Sequence, residues 1–329
     1  MNVLINASAA REGGARTIVN SYLKSKENDG NIYYLVSPVA PEKPMANLIW
    51  VKFGTNGVFT TLFSIFGSWF LGVFFRVDEI ISFSNVNLMI GKVKLVTYFH
   101  NHLIITSRDV RYKLLRFALK WLSRKDALYV FQTPFVKKEF EKKLFSPKFS
   151  LVAWPGVVTN KINFEYRENP HYSCSFLIPI MNLYNRNKNI DFLITLLTKY
   201  NFEDVKFIVT SDQYEHPINK FPNVELVGKL DKLEFEKEIV VNDGIMVFSE
   251  VETVCLPIFE ALFYSKPVLL LGTNYFTHIE EMFGEVNGVI KFTTIDEAKK
   301  AVEIIKSDSY ERGCNIINNE SIFKGNWSF

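Results

Sequence analysis

Short apolar runs recur along the chain, and stretches with helical spacing of apolar residues separate most of them. Apolar runs of this length, bounded by turn residues, are typical of buried strands, whereas apolar positions three and four residues apart predict helices. In the first half of the chain, the pattern predicts strands at 2–6, 31–36, 48–51, 79–83, 94–100 and 127–132, with a last apolar run at 149–154.

A second series follows a polar, irregular stretch at 155–172, which marks a predicted domain boundary. Its predicted strands are 174–178, 205–210, 224–227, 244–248, 268–271 and 288–292. Helices are predicted at 15–24, 108–125, 135–144, 188–200, from about 231, and at 257–264, 278–283 and 295–306. Alternating strands and helices imply parallel sheets with right-handed crossovers. The sequence therefore predicts an α/β protein with two Rossmann-like domains, residues 1–160 and 161–312, facing each other across a cleft.

Two helical segments of the first half carry unusual patterns. Val58–Phe75 is an uncharged stretch of 18 residues, long enough to consider as a membrane span, but its Gly, Thr and Ser residues favour a buried or interface-lying helix. Arg108–Lys125 is amphipathic, and basic residues occupy most of the helix surface outside its apolar side. Its predicted apolar side consists of Leu114, Leu115, Phe117, Ala118, Trp121 and Leu122.

The cysteine and histidine content limits the chemistry. The three cysteines lie at wide, unrelated spacings that fit neither a disulfide framework nor a metal site, so a reducing cytoplasm is the simplest compartment. The sequence contains no D-x-D motif, and no His, Cys and Asp cluster has ligand spacing. We therefore expect no metal cofactor.

The net charge of +3 hides an asymmetry between the two halves. Up to residue 160 there are 21 Lys and Arg against 10 Asp and Glu, whereas the remainder has 17 against 25. A basic half indicates contact with an anionic surface, and an anionic membrane is one candidate partner. A soluble basic face is the alternative. Nucleic acid is disfavoured because no groove-reading module is recognisable.

The stretch Ser249–Val268 joins a predicted strand to a polar loop that carries Glu250 and Glu252 and to a helix that carries Glu260. Pro257 stands where its fixed φ and missing N–H suit a first helical residue. Glu252 lies in the loop, and Glu260 lies eight residues later in the first turn of the predicted helix. Because ligands bind beyond the carboxyl ends of strands in open α/β sheets, both carboxylates are candidate binding groups. The alternative for Glu260 is a solvated helix acid.

This stretch resembles the acid motif of retaining glycosyltransferases of family 4, which have the GT-B fold. The two acids are separated by seven residues, with Leu256-Pro257 before the second acid and Lys266-Pro267-Val268 closing the helix. Further matches are Gly13-Gly14-Ala15 after the first strand, Lys188-Asn189 in the second domain, and residues 223–228. The resemblance covers nearly the whole chain. Residues 313–329 resemble the terminal helix of the family, which returns to the N-terminal domain.

The resemblance implies a nucleotide-diphosphate sugar, either a UDP- or a GDP-sugar, as the donor. It implies that Glu260 holds the ribose, that Glu252 holds the donor sugar, and that His100 lines the sugar site. Carboxylates suit these roles because each can accept two hydroxyl hydrogens. The backbone N–H groups expected to face the diphosphate, at a helix N-terminus, are those of Val254, Cys255 and Leu256.

Leaving-group charge is neutralised in this class by basic side chains, and Lys188 matches the lysine of the family. The arginine that the family carries at the end of the preceding strand has no counterpart in 176–182, so Arg186 is a candidate replacement. Gly13 and Gly14 would let the backbone approach a phosphate or sugar closely, although a simple tight turn is the alternative.

The resemblance implies a hexosyltransferase that moves the sugar to a glycan or lipid-linked acceptor in bacterial surface glycan or lipopolysaccharide biosynthesis. We expect a cytoplasmic protein, with peripheral attachment to the inner face of the membrane left open. Two alternatives remain at this point: a nucleotide-sugar epimerase or hydrolase on the same fold, and a non-catalytic nucleotide-sugar-binding subunit.

Overall fold

A computed structural model describes residues 1–159, 172–307 and 320–329 of the chain. The described residues form two compact units. The first contains Met1–Gly156, Glu252–Val254 and Lys324–Phe329, and the second contains Val157–Val251 and Cys255–Phe323. The predicted domain limits at residues 160 and 312 lie outside the described residues and stay predictions.

The first unit is built on a seven-stranded sheet in which every neighbouring pair of strands is parallel. Its strands are β1 Asn2–Asn6, β2 Ile32–Ser37, β3 Leu48–Lys52, β4 Glu79–Ser82, β5 Lys94–Phe99, β6 Leu128–Phe131 and β7 Phe149–Val152. The strand order is β3-β2-β1-β4-β5-β6-β7, so the direction of growth of the sheet reverses between β1 and β4.

The second unit repeats this plan with a six-stranded parallel sheet. Its strands are β8 Cys174–Ile178, β9 Val205–Val209, β10 Val224–Leu226, β11 Gly244–Val247, β12 Val268–Leu271 and β13 Val289–Phe292. The order β10-β9-β8-β11-β12-β13 places the reversal between β8 and β11. The crevice at such a reversal is where open α/β sheets bind their ligands.

Helices connect the strands in both units. In the first unit they are α1 Gly13–Ser25, α2 Gly57–Leu62, a π-helix Phe63–Gly67, α3 Ser68–Phe74, α4 Leu103–Thr106, α5 Val110–Leu122 and α6 Pro134–Lys143. In the second they are α7 Ile190–Lys199, α8 Lys232–Val241, α9 Leu256–Phe263, α10 Asn274–Phe283 and α11 Ile295–Lys306, with short 3-10 helices at Arg186–Lys188, Pro217–Lys220 and Glu320–Phe323.

Local sequence explains several helix starts. Asp231 and Glu234 form a capping box at the N-terminus of α8, and Thr294 and Glu297 form another at α11. Each box satisfies two N–H groups that the helix itself leaves unpaired. The Thr133 hydroxyl accepts from Val136 N–H at the start of α6. The polar residues at these loop-to-helix junctions therefore fix where the helices begin.

Each sheet is covered by its own apolar core. Buried aromatic and aliphatic side chains of β8, β9 and β11 pack under α7 and α11 in the second unit. The corresponding core of the first unit includes Leu4, Phe99 and Phe131 from the strands and Leu119 and Phe140 from the helices. The predicted α/β class with two Rossmann-like parallel sheets is therefore confirmed.

Several predicted elements differ in detail from the structure. The helix α1 begins at Gly13 and not at Ala15, and α10 begins at Asn274, earlier than predicted. The predicted helix at 188–200 starts at Ile190, because Lys188 belongs to a separate 3-10 turn. Within the predicted terminal helix, the described residues form a short 3-10 helix at Glu320–Phe323. Residues 313–319 lie outside the described residues.

The predicted apolar side of the 108–125 helix is only partly buried. Leu114, Phe117 and Trp121 are exposed, whereas Tyr112 and Leu119 are buried. The helix therefore has two apolar stripes, and only one of them packs against the protein.

Candidate functional site

The predicted donor-binding residues of the second unit follow the two strands that flank the reversal of its sheet. Arg186 and Lys188 lie after β8, and the acid-bearing loop lies after β11. These two strands are direct neighbours, with Gly244 of β11 paired to Phe176 of β8. The topology therefore delivers these two segments to the kind of crevice where such sheets bind ligands.

The side chain of Asn187 fastens the turn after β8 to the loop after β11. Its Nδ2 donates to the Val251 carbonyl at 2.6 Å, and its Oδ1 accepts from Val251 N–H at 3.0 Å. Its backbone carbonyl also accepts from Glu250 N–H at 3.0 Å. Three hydrogen bonds from one residue thus hold the chain immediately before Glu252. Sequence reasoning missed Asn187, because an asparagine in a polar loop carries no distinguishing pattern.

The turn that carries Arg186 and Lys188 is itself fixed by asparagines. Asn185 caps the 3-10 helix by accepting from Asn187 N–H, and Asn189 takes the left-handed conformation at φ 49°. Asparagine tolerates this conformation better than most residues do. The Lys188 side chain is half-buried, whereas Arg186 is exposed.

The helix α9 begins without a side-chain cap. Cys255 is its N-cap residue, Leu256 is its first residue, and the N-cap side chain makes no capping hydrogen bond. Pro257 occupies the second position, one residue later than predicted. Uncapped N–H groups at a helix N-terminus attract anions, which suits the predicted contact with a diphosphate. The side chain of Cys255 is a buried thiol that is not part of a disulfide.

Glu260 is not solvated, so the solvated alternative is wrong. The residue is 4% exposed and forms an ion pair with Lys232, the first residue of α8. The same ammonium lies 3.2 Å from the carboxylate of Glu236, which is fully buried one turn further along α8. Lys232 therefore links the start of α8 to α9 through Glu260, and it also pairs with Glu236 of its own helix.

The charges of this cluster stabilise one another. Burial works to lower the pKa of the Lys232 ammonium, but the Glu260 and Glu236 carboxylates outweigh it and hold that pKa above its ordinary value. Burial, followed by the charge of Glu236, raises the pKa of the Tyr264 hydroxyl, which hydrogen-bonds to Glu236. Lys232 is therefore a fixed positive charge beside the predicted ribose acid.

The ion pair is compatible with a ribose contact at Glu260. A carboxylate has about four acceptor positions on its two oxygens, so the bond to Lys232 leaves acceptor capacity for hydroxyl groups. Sequence reasoning did not find Lys232 or Glu236. The four-residue spacing of Lys232 and Glu236 was visible in the sequence, but it is common on exposed helix faces.

In the first unit, the predicted glycine pair lies at the start of α1. Gly13 has a φ of +63°, which glycine adopts without the cost that a side chain would impose. The N-cap residue of this helix, Glu12, makes no side-chain capping hydrogen bond. This backbone conformation explains why position 13 needs glycine. Because the helix already begins at Gly13, the prediction of a turn that extends to Ala15 is wrong.

His100 directly follows β5 and is held through its backbone. The Asn85 side-chain carbonyl accepts from the N–H groups of His100 and Asn101 at 2.8 and 3.1 Å. The Thr253 hydroxyl donates to the His100 carbonyl at 3.0 Å, and Thr253 groups with this unit. The structure therefore brings His100 next to the residue that follows Glu252 in the chain.

The ring of His100 is neutral near pH 7. Burial lowers the pKa of its imidazole to about 4, against a smaller opposing effect from the Tyr98 backbone. Its Nδ1 atom is buried and has no hydrogen-bond partner among the described residues. A neutral, partly unsatisfied imidazole can exchange a hydrogen bond with a hydroxyl group of a ligand.

Within residues 1–159, 172–307 and 320–329, no group of three or more His, Cys, Asp and Glu side chains is placed to hold a metal ion. The basic and acidic side chains described above are the charged groups that this candidate site offers.

No family model matches the chain, and no curated protein matches it in sequence. Solved structures do match in three dimensions. HepE from Anabaena, in complex with UDP and glucose, aligns with a TM-score of 0.63 at 13% identity, covering 96% of this chain and 92% of HepE. WaaG, a glycosyltransferase involved in lipopolysaccharide biosynthesis, aligns with a TM-score of 0.65 at 12% identity, covering 93% of this chain and 90% of WaaG.

A third similar structure is sucrose-phosphate synthase from Thermosynechococcus elongatus. It aligns with a TM-score of 0.64 at 13% identity, covering 93% of this chain and 90% of that protein. At such identities, the likeness shows that this chain shares the fold of these proteins over nearly its whole described length, and the predicted GT-B fold class is confirmed.

Proposed function

We propose that this protein is a glycosyltransferase that takes a hexose from a nucleotide-diphosphate sugar. The observation that carries the proposal is the arrangement after β8 and β11, where Asn187 holds the loop before Glu252 and where α9 presents a buried, ion-paired Glu260. The shared fold supports it, since HepE was solved with UDP and glucose.

In the proposed complex, Glu260 accepts from the ribose hydroxyls and Glu252 accepts from the hydroxyls of the donor sugar. The N–H groups of Val254, Cys255 and Leu256 face the diphosphate at the uncapped start of α9. A UDP- or a GDP-sugar would satisfy these contacts, because the ribose and the diphosphate are common to both. Gly13 and Gly14 would admit the donor close to the backbone of the first unit.

The proposed reaction retains the configuration of the sugar. The bond between the anomeric carbon and the diphosphate oxygen breaks, and a bond to the acceptor oxygen forms on the same face. The acceptor proton passes to the leaving diphosphate, so no protein base is required. Lys188, with Arg186 nearby in the same turn, neutralises the charge that develops on the leaving group. His100 hydrogen-bonds to the donor sugar, and no metal takes part.

We propose a glycan or a lipid-linked molecule as the acceptor, in bacterial surface polysaccharide or lipopolysaccharide assembly in the cytoplasm. WaaG, which acts in lipopolysaccharide biosynthesis, supports this setting through the shared fold. The basic first half of the chain supports an acceptor or a surface that carries negative charge.

Product analysis tests this proposal. The protein is incubated with UDP- and GDP-hexoses, with and without a mixture of glycan and lipid-linked acceptors, and the products are separated by mass and by NMR of the anomeric proton. We expect nucleoside diphosphate release that depends on the acceptor, and a new linkage with the anomeric configuration of the donor. Inverted product, an isomerised donor, or hydrolysis without transfer would contradict the proposed reaction. Donor binding without any turnover would favour a binding subunit.

A further inference from the structure

The continuous helical segment Gly57–Phe74 packs with its small polar side against the first sheet. Ser64, Ser68 and Gly72, spaced four residues apart, are buried, and Asn6 of β1 donates to the Ser64 hydroxyl at 2.9 Å. A Cβ added at Gly72 would lie only 3.1 Å from Ile80 Cδ1, so the helix approaches the sheet closely there. These small residues share the buried side with Ile65, which belongs to the apolar core of the unit.

The opposite side of this segment is aromatic and exposed. Phe59, Phe70 and Phe74 are 70%, 67% and 77% exposed. The other large apolar side chains exposed on this segment are Val58, Leu62, Phe66, Trp69 and Val73. Most of the large apolar side chains of this segment therefore face away from the unit, and an exposed apolar surface of this kind marks an interaction site.

The segment is, among the described residues, the one helix long and apolar enough to cross a membrane, with a mean hydropathy of 1.6 over its 18 residues. Length and composition alone do not decide its position. Its serine and glycine side is bound to β1 and Ile80 of the sheet, so the helix lies along the unit. This packing fits a helix that rests on a membrane surface better than one that spans it.

The helix α5 extends this apolar surface. Val110, Leu114, Phe117 and Trp121 follow one another at intervals of four, three and four residues, and all four are exposed. These intervals place them on one side of an α-helix. This outer stripe is distinct from the buried stripe that contains Tyr112 and Leu119.

The two exposed sides are neighbours. The helix α2 contacts α5, and Gly91 connects the far ends of the two segments. A Cβ at Gly91 would lie 3.6 Å from Trp69 Cδ1, and the Arg124 guanidinium, just beyond α5, donates to the Gly91 carbonyl at 2.8 Å. Met89 and Ile90, beside Gly91, are exposed as well. We call this combined surface, formed by the 57–74 segment, residues 89–90 and the outer stripe of α5, the aromatic face.

Basic residues accompany the aromatic face. The helix α5 contains four basic residues and no acid over Val110–Leu122, and Arg111, Lys113 and Lys120 are exposed. The Lys120 ammonium lies 6.0 Å from the ring of Trp121. Long basic side chains beside an apolar helix face can extend towards anionic head groups while the apolar groups enter the acyl region.

We propose that the aromatic face docks on the surface of a bilayer that contains anionic lipid. Phe and Trp side chains supply the apolar contact, and the basic residues of α5 supply charge complementarity with the head groups. Each such Lys or Arg near an anionic surface adds to the binding that apolar burial provides. The proposal depends on the first unit alone and stands whether or not the proposed sugar transfer is correct.

Vesicle co-sedimentation tests the proposal with the full chain. Vesicles of phosphatidylcholine with about 30% phosphatidylglycerol should pellet the protein, and pure phosphatidylcholine should pellet much less of it. The double variant Phe117→Glu/Trp121→Glu should lower the bound fraction more than about tenfold, because two exposed aromatics are lost and two charges are added. Lys113→Glu/Lys120→Glu should abolish the preference for anionic lipid and retain weak binding.

The matched control is Ile304→Glu, which places a charge on an exposed apolar side chain of α11 in the second unit and should bind like the wild type. Unfolding temperature and circular dichroism of each variant verify that it is folded. Absence of pelleting by the wild type would overturn the proposal. So would a stable dimer in light scattering that the double variant abolishes, because the aromatic face would then belong to a second copy of the chain.

Discussion

At the scale of single residues, the candidate site is defined by a half-buried lysine that the sequence does not single out. Lys232 pairs with Glu260 from another helix and with Glu236 from its own helix. The acid pair of the loop and α9 was predictable because its flanking residues follow a recognisable pattern. The partner of Glu260 was not, because it lies 28 residues away and is brought there only by tertiary packing.

We predict that Lys232→Met lowers the free energy of unfolding by about 3–5 kcal/mol, since it leaves two acids buried without a counter-charge. Nucleotide affinity should fall as well, because Lys232 positions Glu260. Urea denaturation and calorimetric titration with UDP and GDP measure the two effects.

Lys300→Met, on the exposed side of α11, is the control and should change stability by less than about 0.5 kcal/mol. Combining Lys232→Met with Glu260→Gln should recover part of the lost stability, because one uncompensated charge is then removed. Equal stability of the two lysine variants would show that the buried cluster contributes nothing specific.

The lowered pKa of the His100 imidazole predicts that the stability of the fold depends on pH. The folded protein lowers the pKa of its imidazole to about 4, so between pH 6.5 and pH 4 the unfolded chain binds more protons than the folded one. Stability should therefore fall as the pH is lowered, by about 2 kcal/mol from this group between pH 7 and pH 4.5. The contribution is fully present at neutral pH.

The variant His100→Gln should flatten this part of the curve, which urea denaturation at the two pH values will measure. Part of the dependence should remain, because burial also lowers the pKa of His216. A pH profile of His100→Gln that superimposes on the wild type would contradict the assigned pKa.

At the scale of elements, the strand–loop–helix segment at 244–263 is close to its prediction, and the two helical segments of the aromatic face also lie where helices were predicted. Which side of each helix packs against the sheet was not predicted. Pro257, the capping residues and the Lys266-Pro267 stop are local signals, so they can be read from the sequence. The two stripes of α5 share the same 3.6-residue period, and no local signal tells which stripe faces the core. The serine side of the 57–74 segment is likewise recognisable as the buried side only once the sheet is present.

The loop before Glu252 depends on Asn187 for its position, and this dependence can be tested by substitution. Asn187→Ala removes both side-chain bonds to Val251 and should loosen the loop before Glu252. We expect kcat for sugar transfer to fall about 10- to 100-fold, because small displacements of catalytic groups are costly, with a smaller change in nucleotide affinity. Steady-state kinetics and calorimetric titration separate these effects.

Asn201→Ala is the control, since Asn201 is an exposed residue of the same unit whose side chain donates to Glu203. It should leave both kcat and nucleotide affinity unchanged. An Asn187→Ala enzyme with wild-type kcat would remove the positioning role assigned to Asn187.

At the scale of the whole molecule, the alternation of strands and helices was sufficient to predict both parallel sheets. Every strand of the two sheets corresponds to a predicted strand or apolar run. The reversal between β8 and β11 could not be read from the sequence, because strand order depends on long-range pairing. Because of this reversal, Lys188 and the acid loop follow two adjacent strands at the same edge of the sheet. Ligands bind at this edge in open α/β sheets.

The central claim is that the Glu252 and Glu260 segment binds a nucleotide-diphosphate sugar for transfer. Calorimetric titration of the wild type with UDP, GDP and their hexose derivatives tests it most directly, with Glu260→Ala, Glu252→Ala and the exposed control Glu303→Ala measured alongside. We predict that one nucleotide series binds. Glu260→Ala should weaken that binding at least about tenfold, a loss of about 1.4 kcal/mol, whereas Glu303→Ala should leave it unchanged. Glu252→Ala should bind the nucleoside diphosphate like the wild type but lose sugar transfer. Binding of neither series, or wild-type affinity in Glu260→Ala, would contradict the account.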